Sequence, residues 1–227
     1  NRAHTVLFLT EQNDKIASNL KAVMEDVTTE TYSGVEFVSG KYASKDVVVA
    51  KCGIGKVFAA ICAEAMILKF DVDKIINIGV AGSLTKDLGV LDVAVANNVV
   101  QHDMDTSPLG DPVGLLSGIN MVTLDADKDM NVLLCDCLSD KGIKFKKGTI
   151  ATGDQFVATK EQKDRITGMF DAIAAEMEGG SIGHVCYINN IPFAILRSIS
   201  DSEGGVIDYQ TFAEKAADQS IEVVKEF

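Results

Sequence analysis

The sequence predicts an α/β fold, one domain over residues 1–227 with a mostly parallel sheet and helices on its faces. Two observations predict it. Short apolar runs alternate with segments of helical period along almost the whole chain, the pattern of strand–helix–strand units. Charged residues close several of those runs, as Glu176, Glu178, Arg197 and Asp201 do. An unpaired charge inside a core is costly, whereas the crevice beyond the carboxyl ends of parallel strands is where such domains bind ligands. With 227 residues, 47% of them apolar, the chain can bury one sizeable core.

The elements follow in order. Residues 4–9 form a short apolar run, read as a buried strand. Ile16, Leu20, Val23, Met24 and Val27 keep a helical period. Residues 35–38 and 46–51 read as strands. The turn Cys52-Gly-Ile-Gly55 leads into a helix over 56–70, rich in alanine and apolar at helical spacing. Strands are expected at 74–79 and 91–100. From His102 to Met121 the pattern breaks down, and two of the three prolines fall there, so this is a functional or mobile loop. A helix over 125–141, a strand over 145–151 and a short helix over 160–167 come next. A strand at 171–175, a helix at 179–190, a strand at 192–200 and a closing helix from Tyr209 complete the chain. No repeat, linker or low-complexity tract interrupts it.

Composition narrows the function. A net charge of −12 argues against nucleic acid or an anionic membrane as partner. The arginines are few: Arg2, Arg165 and Arg197. Five cysteines, odd in number and mostly in apolar runs, read as reduced core residues and not as a disulfide framework. Cys135 and Cys137 have no partner pair with metal-site spacing, so neither a metal nor a cofactor is expected. No apolar stretch reaches the roughly 20 residues of a membrane helix. The expected compartment is the cytoplasm, with export after removal of a signal peptide left open.

Several segments carry candidate chemistry. The Gly53–Gly55 turn before a helix brings backbone amides toward a ligand, or is simply a tight turn. Gly79-Val-Ala-Gly82-Ser83 ends a strand in small residues against which a flat ligand fits, with a plain turn as the alternative. His102-Asp-Met-Asp105 has metal-ligand residue types but reads better as a solvated loop, and His184 as a structural histidine within a helix. Glu176 and Glu178, two residues apart, share a face if they continue a strand, and paired carboxylates grip a sugar diol. The competing reading is a helix N-terminus that attracts negative charge. Asp201 follows Ser198-Ile-Ser200 at a strand end, where a half-buried carboxylic acid is a proton donor or an N-cap.

Together these pieces resemble the purine nucleoside phosphorylase and nucleosidase superfamily, and within it the bacterial 5′-methylthioadenosine/S-adenosylhomocysteine nucleosidases. The resemblance rests on Gly53-Ile-Gly-Lys-Val57, Ile76-Asn-Ile-Gly-Val-Ala-Gly82, His102-Asp-Met-Asp105, Thr152-Gly-Asp-Gln-Phe156, Ala175-Glu-Met-Glu178 with His184-Val-Cys186, and Pro192 through Asp201. It implies a three-layer α/β/α sandwich with a central mixed, mostly parallel twisted sheet, a nucleoside substrate and a homodimer. By resemblance, Asp201 protonates N7 of adenine and Ser200 helps to place it. Glu178 and Met177 hold the ribose, while Glu176 and Arg197 arrange the site around the attacking water. Phe156 stacks on the base, the backbone near Val157 reads its edge, Ala81 and Gly82 line the pocket, Ile54 touches the sugar side, and Tyr209 shields the alkylthio group.

The sequence departs from the family pattern in three places. The turn after the first strand, Thr10-Glu-Gln-Asn-Asp-Lys15, puts Lys15 at the family's glutamate by simple spacing, Asp14 if the turn is one residue shorter, and Glu11 after a larger shift. Asp14 is the expected water-activating base. Val80 stands where the family usually has serine, and the loop at 106–114 carries Leu109 and Asp111 in place of an aromatic pair. The leading reading is hydrolysis of methylthioadenosine or adenosylhomocysteine. The alternatives are a phosphorylase, a futalosine hydrolase, and a nucleoside-binding protein that has lost catalysis.

Overall fold

The computed structural model describes residues 14–201 and, beyond them, 215, 218–219 and 222–223. The strand expected at 4–9 and the start of the closing helix at Tyr209 lie outside these residues.

The first described element is helix α1 (Asp14–Val23), followed by an antiparallel meander of β1 (Glu25–Tyr32), β2 (Val35–Tyr42) and β3 (Lys45–Ala50). The meander is a sheet of its own. Val35, Phe37, Val48 and Ala50 join one side of the core, while Val38 and Val49 pack with Leu20 and Met24 on the other. Strand β1 is a correction to the sequence reading, which carried the helical period on to Val27. Nearly all of β1 is exposed, so no periodic burial marks it, and its threonines and valine decide for the extended form.

Helix α2 (Lys56–Phe70) matches its expected bounds. It starts after Gly55, whose φ of 95° only glycine adopts cheaply. Ala59, Cys62, Ala63 and Met66 make its inward stripe at helical spacing.

The main sheet comprises β4 (Ile75–Ser83), β5 (Val93–Gln101), β6 (Thr123–Asp125), β7 (Phe145–Thr152), β8 (Ala172–Glu176) and β9 (Phe193–Asp201). The long pairings, β4 with β9, β5 with β7 and β7 with β8, are parallel. The short ones are antiparallel: β8 meets β4 at Gly82 and Ser83, and β9 meets β5 at Val93–Val95. The ring β5–β7–β8–β4–β9 therefore closes on itself, with β6 added to the far half of β5. The mixed sheet with long parallel runs is as expected, and its five strands β5, β7, β8, β4 and β9 close into a barrel-like sheet. Closure removes the open edges, and a bulge in β5 between Ala96 and Asn98 supplies the bend.

Helices α3 (Lys128–Asp140), α4 (Lys160–Phe170) and α5 (Gly179–Asn189) complete the fold. Helix α3 starts three residues later than expected because 123–125 extend as β6. Its N-cap is Asp127, which accepts from the Met130 amide. Helix α4 opens with a capping box of Thr159 and Gln162. Cys52, Cys62, Cys137 and Cys186 are buried thiols and Cys135 is half-buried. Burial pushes the Cys62 pKa up to about 12. No helix among the described residues is long and apolar enough to cross a membrane.

Helix α5 lies unusually close to the barrel. A Cβ on Gly183 would stand 2.9 Å from both Phe193 and Val99, and one on Gly180 would stand 2.8 Å from Thr152. Gly183→Ala is expected to destabilise the protein by about 1–3 kcal/mol through overpacking. Gly168→Ala, in α4 with nothing within 4 Å, is expected to stabilise by about 0.5–1 kcal/mol. Urea unfolding midpoints of both variants check the pair.

Candidate active site

Four strands deliver their ends to one place. The tips of β4, β8 and β9 and the segment after β7 enclose a cleft of about 230 Å³, lined by Val80, Ala81, Gly82, Gln155, Phe156, Val157, Ala175, Glu176, Met177 and Ser200. A wider groove lies between α3 and α5, but the buried charges gather at the smaller cleft.

Glu176 is the last residue of β8. Its Oε2 accepts from the backbone N–H of Glu178 at 3.0 Å and of Gly179 at 2.7 Å, and its Oε1 accepts from the Thr152 hydroxyl. The carboxylate thus sits on the N-terminus of α5, where the helix dipole favours a negative charge. Glu178 is the residue before that helix, with φ −132° and ψ −42°, so the two glutamates do not share a strand face. They meet instead through Arg197. Its Nη2 lies 2.5 Å from Glu176 Oε2 and 3.5 Å from Glu178 Oε2, and donates to Asn77 Oδ1 at 2.6 Å. Its Nη1 donates to the Val80 carbonyl at 3.2 Å. The Arg197 side chain is 0% exposed and the two glutamate side chains 1%. Arg197 is therefore a buried counter-ion beneath the cleft and does not line it.

The second oxygen of Glu178 accepts from the Gly55 N–H at 2.9 Å, which ties it to the turn containing Ile54. Ile54 itself is exposed. Phe156 is 80% exposed and presents a bare ring at the rim. Ser200 donates to the Ala81 carbonyl at 3.3 Å, linking two strand tips. Asp14 opens α1 and Asp201 ends β9, with their side chains outside the description; Tyr209 lies outside the described residues.

Outside the cleft, His184 Nδ1 pairs with Gln101 Nε2 at 3.2 Å, and burial lowers its pKa, in keeping with the structural role read for it. The His102 segment is drawn into hydrogen bonds: Asp103 accepts from Lys56 Nζ and from the Asp154 N–H, each at 2.8 Å. Among the described residues no three His, Cys, Asp or Glu side chains converge on a common point.

Two contributors escaped the sequence reading. Thr152 donates to Glu176 and accepts from the Gly180 N–H at 2.6 Å. Asn77 is fully buried inside β4. A signal for Asn77 was present, since an amide within Ile75-Ile-Asn-Ile78 must find a buried partner.

Comparison with known proteins decides the family. The model of the phosphorylase superfamily matches residues 12–227. The chain belongs to that superfamily. Within it, the chain is 39% identical over 194 residues to the aminodeoxyfutalosine nucleosidase of Helicobacter pylori, covering 85% of this chain and 84% of that one. It is also 39% identical over 193 residues to the 5′-methylthioadenosine/S-adenosylhomocysteine nucleosidase of Staphylococcus saprophyticus, covering 84% of each. Among solved structures, an aspartate-to-asparagine mutant of the Helicobacter pylori methylthioadenosine nucleosidase, with 5′-methylthioadenosine in its active site, superposes with a TM-score of 0.90 at 35% identity, over 98% of this chain and 97% of that one. This member of the superfamily is a nucleosidase, an N-glycosyl hydrolase.

Removing the guanidinium strands two buried carboxylates. Arg197→Leu is expected to cost about 3–5 kcal/mol of stability, the usual penalty for breaking a buried ion pair from one side. Chemical denaturation of the purified variant measures it.

Proposed function

We propose that this nucleosidase hydrolyses the N-glycosidic bond of 5′-methylthioadenosine, S-adenosylhomocysteine or both, releasing adenine. The observation that carries the reading is the Glu176–Arg197–Glu178 cluster directly beneath a cleft rimmed by Phe156. Glu178 accepts from the Gly55 N–H of the sugar-side turn on one oxygen and faces Arg197 with the other, and a carboxylate fixed at that point suits the hydroxyls of a ribose.

In this reading the base stacks on Phe156, with the backbone at Val157 reading its edge and Ala81 and Gly82 beneath it. Met177 lies along the sugar. Asp201, at the tip of β9, donates a proton to N7 and makes the base a better leaving group, and Ser200 fixes that tip. Positive charge then grows on the sugar, where the negative Glu178 stabilises it. Asp14 takes the proton from the attacking water. Arg197 and Glu176 are positioning residues, since both are committed to the buried cluster. Tyr209 covers the 5′ substituent. The whole chain is proposed to act as one nucleosidase domain.

Water is favoured over phosphate as nucleophile because, among the described residues, no cationic side chain lines the cleft, and phosphate sites rely on charge-assisted donors. The aminodeoxyfutalosine relative, as similar as the methylthioadenosine one, makes a futalosine-type nucleoside the second reading. The buried free thiols suit a reducing compartment, so the cytoplasm is the proposed location.

The test is the base released from methylthioadenosine, adenosylhomocysteine, inosine and a futalosine-type nucleoside, with and without phosphate. Free adenine from the first two, independent of phosphate, is expected. Asp201→Asn should abolish that release while leaving the circular dichroism spectrum and calorimetric binding of methylthioadenosine in place. A near-normal rate in this variant would remove Asp201 as the proton donor, and binding without release by the native protein would leave a nucleoside-binding protein.

The enzyme is further proposed to be a homodimer. Helix α2 exposes Val57, Ile61 and Leu68 along one line, and Tyr187 and Ile188 on α5 are also exposed. Asn189 of α5 donates to Glu64 of α2 at 2.8 Å, so the two helices present these residues together. An apolar face of this kind marks a protein partner, and a second copy is the economical one. The double variant Val57→Glu/Leu68→Glu should elute as a monomer by size exclusion with light scattering, against a native dimer.

A further inference from the structure

Three segments that are remote in sequence meet beside the cleft in a closed ring of hydrogen bonds. Lys56, the first residue of α2, gives its Nζ to Asp103 Oδ1 at 2.8 Å. Asp103, just past the end of β5, takes the Asp154 N–H on its other oxygen at 2.8 Å. Asp154, just past the end of β7, returns to the start by accepting the Lys56 N–H at 2.8 Å. The side chains of Lys56 and Asp103 are only 20% and 15% exposed. His102 backs the ring from below. Its N–H donates to the Thr152 carbonyl at 2.9 Å, and its ring is so close to Gly153 that a Cβ there would stand 2.4 Å from it.

The ring's immediate chain neighbours are the two halves of the site. Next to Lys56 is Gly55, whose N–H holds Glu178. Next to Asp154 are Gln155, Phe156 and Val157, which line the cleft. Phe156 is exposed. We propose that Asp103, clamped by Lys56, is a positioning residue that fixes the base-stacking segment 155–157 relative to the sugar-side turn 53–55, and so sets the affinity for the nucleoside. The proposal rests on the nucleoside reading of the cleft. Burial works against an ionised Asp103, but the Lys56 hydrogen bond and charge and the Asp154 N–H together outweigh it and hold the pKa below the ordinary value. The carboxylate is therefore charged at neutral pH, as the two donors require.

Asp103→Asn keeps size but replaces one acceptor with a donor that faces the Asp154 N–H. Lys56→Met removes the cation. Each is expected to raise KM about tenfold, the range of one lost charge-assisted hydrogen bond, while kcat changes much less. The double variant should be no worse than the weaker single, because the two share one interaction, and Lys56→Arg should restore KM. In the protein without ligand, backbone amides of 154–157 should exchange faster in Asp103→Asn, which tests the clamp whether or not the nucleoside reading holds. Unchanged exchange at 154–157 overturns the proposal. So does an unchanged KM in an active enzyme, or a fall in kcat and melting temperature with KM intact, which would mark a merely structural ring. Failure of the native protein to release any base would overturn the nucleoside reading instead, with the exchange result still deciding the clamp.

Discussion

Two glutamate side chains are held together out of water, where charge is costly unless it is paired and hydrogen-bonded. Arg197 supplies the pairing. Its guanidinium touches both carboxylates and also donates to Asn77 and to the Val80 carbonyl, so the planar fork is held by the barrel wall itself. Backbone groups add to the compensation: the α5 N-terminus on Glu176 and the Gly55 amide on Glu178. Helix starts and tight glycine turns thus do the work that a second arginine would do in a less crowded site.

This arrangement explains why the sheet closes where it does. Arg197 pairs with Gly79 across the parallel β4–β9 ladder, and Asn77 lies two residues back on β4, facing the same way. Pairing of β9 with the start of β5 seals the wall behind the guanidinium. The register shift between Ala81 and Gly82 then lets β4 turn away from β9 and reach β8. That brings Gly82 and Ser83 opposite Ala175 and Ala174, next to Glu176. The cleft is the gap left where parallel strand tips splay into this antiparallel contact.

Much of this was legible in the sequence because it is local. The bounds of α2 follow from its alanine-rich period and the preceding glycines. The importance of Glu176, Glu178 and Arg197 follows from charge placed against apolar runs. What the sequence did not disclose is the partnership among them. For Glu176 and Glu178 a shared strand face and a helix N-terminus were both open; β8 stops at Glu176 and α5 starts just after Glu178, and their contact runs through Arg197, 19 positions from Glu178. Closure of the sheet was equally hidden, because it depends on two antiparallel contacts of two or three residues each, too short to leave a pattern. Strand β1 was missed for the opposite reason: it is a full eight residues long but buries neither face, so no alternation marks it. The His102-Asp-Met-Asp105 segment reads as a solvated loop, yet His102 is buried and Asp103 is bound by Lys56 and a backbone amide, long-range partners that no local pattern discloses.

The charge balance of the cluster also bears on which nucleophile the proposed reaction takes. Cleaving a glycosidic bond places positive charge on the sugar and negative charge on the departing base. A protein of net charge −12 with its central arginine locked below the floor offers little to an incoming phosphate dianion. In the proposed reaction a cationic sugar would meet a carboxylate in a site walled by apolar strands, where the effective dielectric is low. The negative charge on the base then has to be met by a proton and not by a cation. In the proposed reaction Asp201, at the tip of β9, is the proton donor, and the attacking water is neutral, so it enters without crossing an unfavourable field. Hydrolysis with acid-assisted departure is the chemistry this distribution of charge favours over phosphorolysis.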